Sequence, residues 1–156
     1  MRTAIIMTVA ALTFGAGACA APRGAEFTKG DAEAIRKTTL DLIAAVNAKD
    51  VEKVLGVYAE TSVFMPPNAP LMRGRDPLRE YYAGMFSRGA KLEMEADEIA
   101  GHGPIGYDSG SYTIHYADGS RDRGKYLRLL RSMNGTWRVE KTIWSSDLPQ
   151  TAAAAN

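Results

Sequence analysis

The chain has 156 residues, 46% of them apolar and 24% charged, the make-up of one folded domain rather than of a disordered or collagen-like chain. Lys and Arg total 19 against 18 Asp and Glu; Arg2 is the one charged residue before Arg23, so without the first twenty residues the balance is 18 − 18 = 0. A neutral chain carries no basic footprint for nucleic acid, and a single Cys excludes both a disulfide framework and a cysteine-rich zinc site.

Residues 1–20 have the three-part layout of a secretory signal peptide: a positive Met1-Arg2, an uncharged apolar run over residues 4–14, then small residues from Gly15 to Ala20. The run is about half the roughly 20 residues a membrane-crossing helix needs, so no membrane span is expected. Two processing routes stay open. Ala18-Cys19-Ala20 fits cleavage after Ala20, for a chain sent to a bacterial periplasm or secreted. Ala16-Gly17-Ala18-Cys19 instead resembles a lipobox, with Cys19 lipidated and the protein anchored as an outer-membrane lipoprotein. On either route Cys19 serves processing and not catalysis.

Residues 21–30 read as a linker. From Asp31, as N-cap, to Ala48 the apolar residues Ile35, Leu42, Ile43 and Val46 fall at helical spacing. Asp50 caps a short second helix carrying Val54, Leu55 and Tyr58. Residues 62–65 read as a strand stopped by Pro66-Pro67, and residues 68–74 as a loop. Asp76-Pro77 opens a third helix, with Leu78, Tyr81, Tyr82 and Met85 at i, i+3, i+4 and i+7. Period two then takes over. Residues 91–100 alternate Leu92, Met94 and Ala96 with Glu93, Glu95 and Asp97, and a long strand follows over residues 105–116.

Asp118-Gly119 and Asn134-Gly135 are hairpin signals that delimit strands over residues 123–132 and 136–144. A three-residue turn at Met133-Asn134-Gly135 would set Arg128 opposite Glu140 and place Leu127, Leu129, Trp137 and Val139 on the core face. A two-residue turn would set Arg128 against Lys141, a like-charge pair, so the first register is expected. The domain covers residues 31–149, with an Ala-rich tail over 150–156. Helices followed by antiparallel strands make an α+β fold, with three N-terminal helices packed on one curved sheet.

The chemistry-bearing residues are sparse. His115 titrates near neutral pH, but its period-two neighbours Ser109, Ser111 and Thr113 point to a wet face. His102 lies in a Gly-rich turn, and two His without a common spacing make no metal site. Glu93, Glu95, Asp97 and Glu98 form a wet strand face rather than a cation site. No phosphate loop, nucleophile elbow or C-x-x-C is present, so no cofactor is expected. Seven Tyr and two Trp are more informative. Each hydroxyl needs a partner, so several border a cavity or an interface. The expected pocket is lined by Tyr58, Met65, Tyr82, Tyr112 and Trp144 and suits a small apolar or aromatic ligand.

Four segments in order carry a family resemblance: Asn47-Ala-Lys-Asp50 through Val57-Tyr-Ala-Glu60; Ser62-Val-Phe-Met-Pro-Pro67; Arg73-Gly-Arg-Asp-Pro-Leu-Arg-Glu-Tyr-Tyr82; and Gly124-Lys-Tyr-Leu127 with Asn134-Gly-Thr-Trp-Arg-Val139 and Ile143-Trp-Ser-Ser-Asp147. From about residue 35 to 149 the chain resembles the nuclear transport factor two / ketosteroid isomerase-like superfamily, in its SnoaL-like branch. The resemblance implies a cone-shaped sheet with a pocket at its open end, and pairing into a homodimer, for which the aromatic face of Tyr126 and Trp144 is a candidate.

It does not carry over the isomerase chemistry, which uses an Asp base with a Tyr and a protonated Asp as donors. Those positions fall at Met65-Pro66, at Leu42 and near Leu127-Arg128. The reading that follows is an exported, non-catalytic domain binding a small ligand. The alternative is an isomerase, cyclase or hydrolase-like enzyme with a relocated acid or base, for which His115 and Glu140 are the candidates.

Overall fold

A computed structural model of the chain describes residues 26–148. The export segment of residues 1–20, Cys19 and the tail over 150–156 lie outside the described residues.

Helix α1 spans Lys29–Asn47, three residues earlier than the Asp31 cap implied. Thr28 is the N-cap: its hydroxyl accepts from the Asp31 backbone while the Asp31 carboxylate accepts from the Thr28 backbone. Asp at the third helical position thus completes a reciprocal cap that satisfies two otherwise orphaned N–H groups. Helix α2 (Val51–Val57) is capped by Asp50, as expected, and runs directly into strand β1 (Tyr58–Met65). A two-residue strand, β2 (Met72–Arg73), pairs with β1 inside the segment read as a loop. Helix α3 spans Arg75–Ser87; its N-cap is Gly74 at φ 79°, so Asp76 and Pro77 lie inside its first turn.

The remaining strands are β3 (Lys91–His102), β4 (Ile105–His115), β5 (Arg121–Met133) and β6 (Thr136–Ser146). The sheet order is β2-β1-β6-β5-β4-β3, antiparallel except where β1 runs parallel to β6. The result is a six-stranded, mixed, curved and unclosed sheet with three helices. α1 packs against β3, β4 and β6, and the core lies between helices and sheet.

The last hairpin corrects the expected register. Asn134 (φ 51°) and Gly135 (φ 77°) are both left-handed, so the loop has two residues and Met133 pairs with Thr136. Positive φ at both central positions matches the twist of the flanking strands. The like-charge pairing is avoided by a bulge: Leu130 faces Val139, but Leu129 faces Lys141, and Arg128 comes opposite Thr142. The extra residue, Glu140, switches the alternation so that Trp137, Val139, Thr142 and Trp144 share the concave face. The core residues of β5 are consequently Tyr126, Arg128 and Leu130. Leu127 is 48% exposed on the convex side and Leu129 is half-buried.

Candidate functional site

A cavity of about 60 Å³ lies between α3 and the concave face of the sheet. Its floor is Leu42 from α1 with Leu92, Met94 and Ile114 from β3 and β4. Tyr81, Tyr82 and Met85 enter from α3 at the spacing that gives that helix one apolar face. β1 supplies Tyr58 and Phe64; β4, β5 and β6 supply Tyr112, Tyr126, Arg128, Thr142 and Trp144. The aromatic rings brace one another edge to face: the Phe64 centroid is 4.5 Å from that of Trp144 and 5.1 Å from that of Tyr81. Such contacts hold large side chains in fixed orientations around a hollow.

Of the residues assigned to the pocket from sequence, Tyr58, Tyr82, Tyr112 and Trp144 line this cavity. Met65 does not, because the alternation along β1 turns Phe64 inward and leaves Met65 on the convex side, paired with Ile143. Tyr126 and Trp144 do not form an outer face either. Tyr126 is buried, and Trp144 packs on Phe64 and Tyr81.

The two acid–base candidates stand apart from the cavity lining. His115 is on the convex side with Nε2 3.6 Å from Glu93 Oε1 and nearly half its side chain exposed. Glu140 is the bulge residue and is held by Arg131, Nη2 to Oε2 at 3.1 Å.

The polar chemistry is carried instead by two residues outside the expected set. Asp108 and Arg128 are fully buried neighbours on β4 and β5. Arg128 Nε donates to Asp108 Oδ1 at 2.9 Å and Nη2 donates to Oδ2, a two-pronged pairing of planar groups. Thr39 of α1 closes the network. Its hydroxyl lies 3.0 Å from Asp108 Oδ2 and accepts from Arg128 Nη2. Burial opposes the Arg128 charge, but the Asp108 carboxylate more than offsets it and the guanidinium pKa is raised. The guanidinium therefore stays charged, with its carbon 5.3 Å from the Tyr126 ring centre.

A second polar element is the pair of phenols Tyr58 and Tyr82, whose oxygens are 2.7 Å apart. Burial pushes both pKa values upward. Neither phenol ionises near neutral pH, so neither is a ready base. At the β5 end of the wall Tyr112 donates to Asp122 Oδ2 at 3.1 Å, and Asp122 Oδ1 also accepts from Ser146.

Sequence reading left no carboxylate inside the cone, yet Asp108 is one. A signal was present: Asp108 shares its parity with Tyr112 and Ile114, the residues of that strand that line the cavity. Arg128 was concealed by the bulge that decides its face. Among the described residues no group of three His, Cys, Asp or Glu side chains could hold a metal ion.

Solved structures match this architecture over most of the chain. A ketosteroid isomerase-like protein from Erwinia carotovora atroseptica SCRI1043 superposes with a TM-score of 0.68 at 22% identity, covering 78% of this chain and 100% of that one. A protein of unknown function with a cystatin-like fold from Nostoc punctiforme PCC 73102 gives 0.70 at 19% identity, over 79% and 96%. An NTF-2-like protein of unknown function from Shewanella oneidensis MR-1 gives 0.65 at 15%, over 72% and 97%. No curated protein matches the chain. At these identities the structural matches show the fold alone. The sequence itself matches the model of the SnoaL-like domain over residues 40–140, more than half of its length and most of the cavity-forming elements, and on that match the chain belongs to the SnoaL-like domain family.

Proposed function

We propose that this protein binds a small apolar or aromatic ligand in the cavity between α3 and the sheet, without chemistry on it. The observation that carries the reading is the wall, apolar and aromatic almost throughout and without a carboxylate; Asp108, the one fully buried carboxylate among the described residues, lies outside that lining and is committed to Arg128 and Thr39. Both oxygens of that carboxylate already accept hydrogen bonds within the protein. The volume limits the ligand. Apolar cavities of about 150 Å³ take up benzene; this one, at about 60 Å³, is smaller, so a single ring requires flexible Met85 and Met94 to give way. Thermal-shift and native mass measurements with single-ring compounds test this. Stabilisation, together with quenching of Trp144 fluorescence that disappears in Trp144→Phe, is the expected outcome. No stabilisation by any compound would overturn the reading.

The second reading, an isomerase, cyclase or hydrolase-like enzyme, draws on Asp122, which holds the hydroxyl of the cavity residue Tyr112. Turnover of a bound ligand abolished by Asp122→Asn would favour it.

The same reading includes export by residues 1–20 and self-association. The mass of the chain recovered from its host separates cleavage after Ala20 from lipidation at Cys19. For the partner, a second copy of this chain fits the convex face. Met65, Ile143 and Leu127 form one apolar row across β1, β6 and β5. Beside it an acidic row on β3, Glu93 and Glu95, is separated by β4 from a basic row on β5, Arg123 and Lys125. Light scattering should give a dimer that Ile143→Lys converts to monomer; a wild-type monomer at high micromolar concentration would overturn the pairing.

A further inference from the structure

The buried donors of this cavity are not all used. Arg128 contributes to the wall, and its Nε and Nη2 are taken by Asp108 and Thr39, but the remaining terminal nitrogen, Nη1, is buried with no partner in the protein. The Tyr58–Tyr82 contact uses one hydroxyl proton, which leaves the other phenol with a proton to donate. Both spare groups are donors. A buried donor without a partner is destabilising, so the site gains from whatever supplies an acceptor. The charge of that acceptor is constrained as well. Arg128 and Asp108 are joined on two bonds and neutral as a unit. An anion added to this apolar chamber would lose its hydration without meeting a net positive charge.

Resting on the ligand-binding reading above, we infer that the cavity selects small uncharged molecules presenting one hydrogen-bond acceptor toward Arg128 Nη1, and rejects the matching carboxylates although an arginine lines its wall. Orientation follows: the acceptor end lies toward Arg128 on β5, and the apolar end against the rest of the aromatic and methionine wall. The hydrogen bond comes from a charged donor in a dry setting, so its loss is felt as roughly tenfold in affinity.

Titration of the full chain with toluene, benzonitrile and benzoate tests this, since the three share a ring and differ in the group presented. Benzonitrile should bind roughly tenfold tighter than toluene, and benzoate more weakly than either. The nitrile stretch of the bound molecule should move to higher frequency than in alkane solvent. In Arg128→Lys, which keeps a cation for Asp108 but removes the second guanidinium edge, toluene binding should persist and the preference for benzonitrile should vanish. Should that variant not fold, the paired change Asp108→Leu with Arg128→Met should give the same pattern in an apolar chamber. Equal affinity of the native chain for toluene and benzonitrile, or tighter binding of benzoate, would overturn the inference and leave apolar ligand binding standing. Failure of all three to bind would overturn both.

Discussion

Asp108 and Arg128 face each other directly across β4 and β5, both side chains on the concave side and both essentially inaccessible to solvent. Two opposite charges are thereby withdrawn from water and depend on each other for solvation. Removing one partner strands the other. Asp108→Ala or Arg128→Ala should each destabilise the fold by about 3–5 kcal/mol. Replacing both, Asp108→Leu with Arg128→Met, should cost much less than the two single changes added together. Urea unfolding of the four proteins checks the cycle, and additive single effects would argue against a coupled pair.

Each of two inward-facing glycines sits opposite a tyrosine: Gly110 faces Tyr126, and Gly124 faces Tyr112. A Cβ at Gly110 would lie 1.9 Å from the Glu95 carbonyl oxygen, and one at Gly124 would lie 1.7 Å from that of Ser145. These are backbone atoms of the neighbouring strand and cannot rotate away. Gly124→Ala should therefore displace β6 and cost about 1–3 kcal/mol, the range for forced overpacking. Gly56→Ala, where a Cβ meets nothing within 4 Å, should be neutral or slightly stabilising. Paired thermal melts distinguish the two.

Tyr58, Tyr81 and Tyr82 all have raised pKa values, with burial as the largest cause in each. These phenols hold their protons more tightly in the folded chain than in the unfolded one. The stability they contribute is complete below the unfolded value of about 10 and is lost as pH rises beyond it. Denaturation midpoints measured between about pH 8 and 11 should fall steeply above pH 10. Tyr82→Phe should show a shallower fall, together with a loss near 1 kcal/mol at neutral pH from the unpaired Tyr58 hydroxyl.

His115 and Glu140 serve as controls. The first is an exposed residue beside Glu93 and the second belongs to a rim pair with Arg131. His115→Ala should change stability by no more than about 0.5 kcal/mol. Neither His115→Ala nor Glu140→Gln should alter ligand affinity in the titrations proposed for the cavity. A tenfold loss in either would mean that the convex surface contributes to the site.

Much of this protein was legible residue by residue. The helical spacing of Leu78, Tyr81, Tyr82 and Met85 marked the face of α3 that walls the cavity, and the period-two pattern of Leu92, Met94 and Ala96 marked the inner face of β3. These are local periodicities, which reflect burial without reference to distant partners. The segment matches set the order of elements, and with it the family fold.

Three-dimensional packing alone decided what stands inside. Whether Arg128 points into the cone or out to solvent depends on the left-handed pair Asn134-Gly135 and on the single extra residue Glu140, and a one-residue slip exchanges the two faces of a strand. Thr39, Asp108 and Arg128 come from three elements far apart along the chain. No periodicity relates them, and only the closing of the sheet over α1 makes them one network.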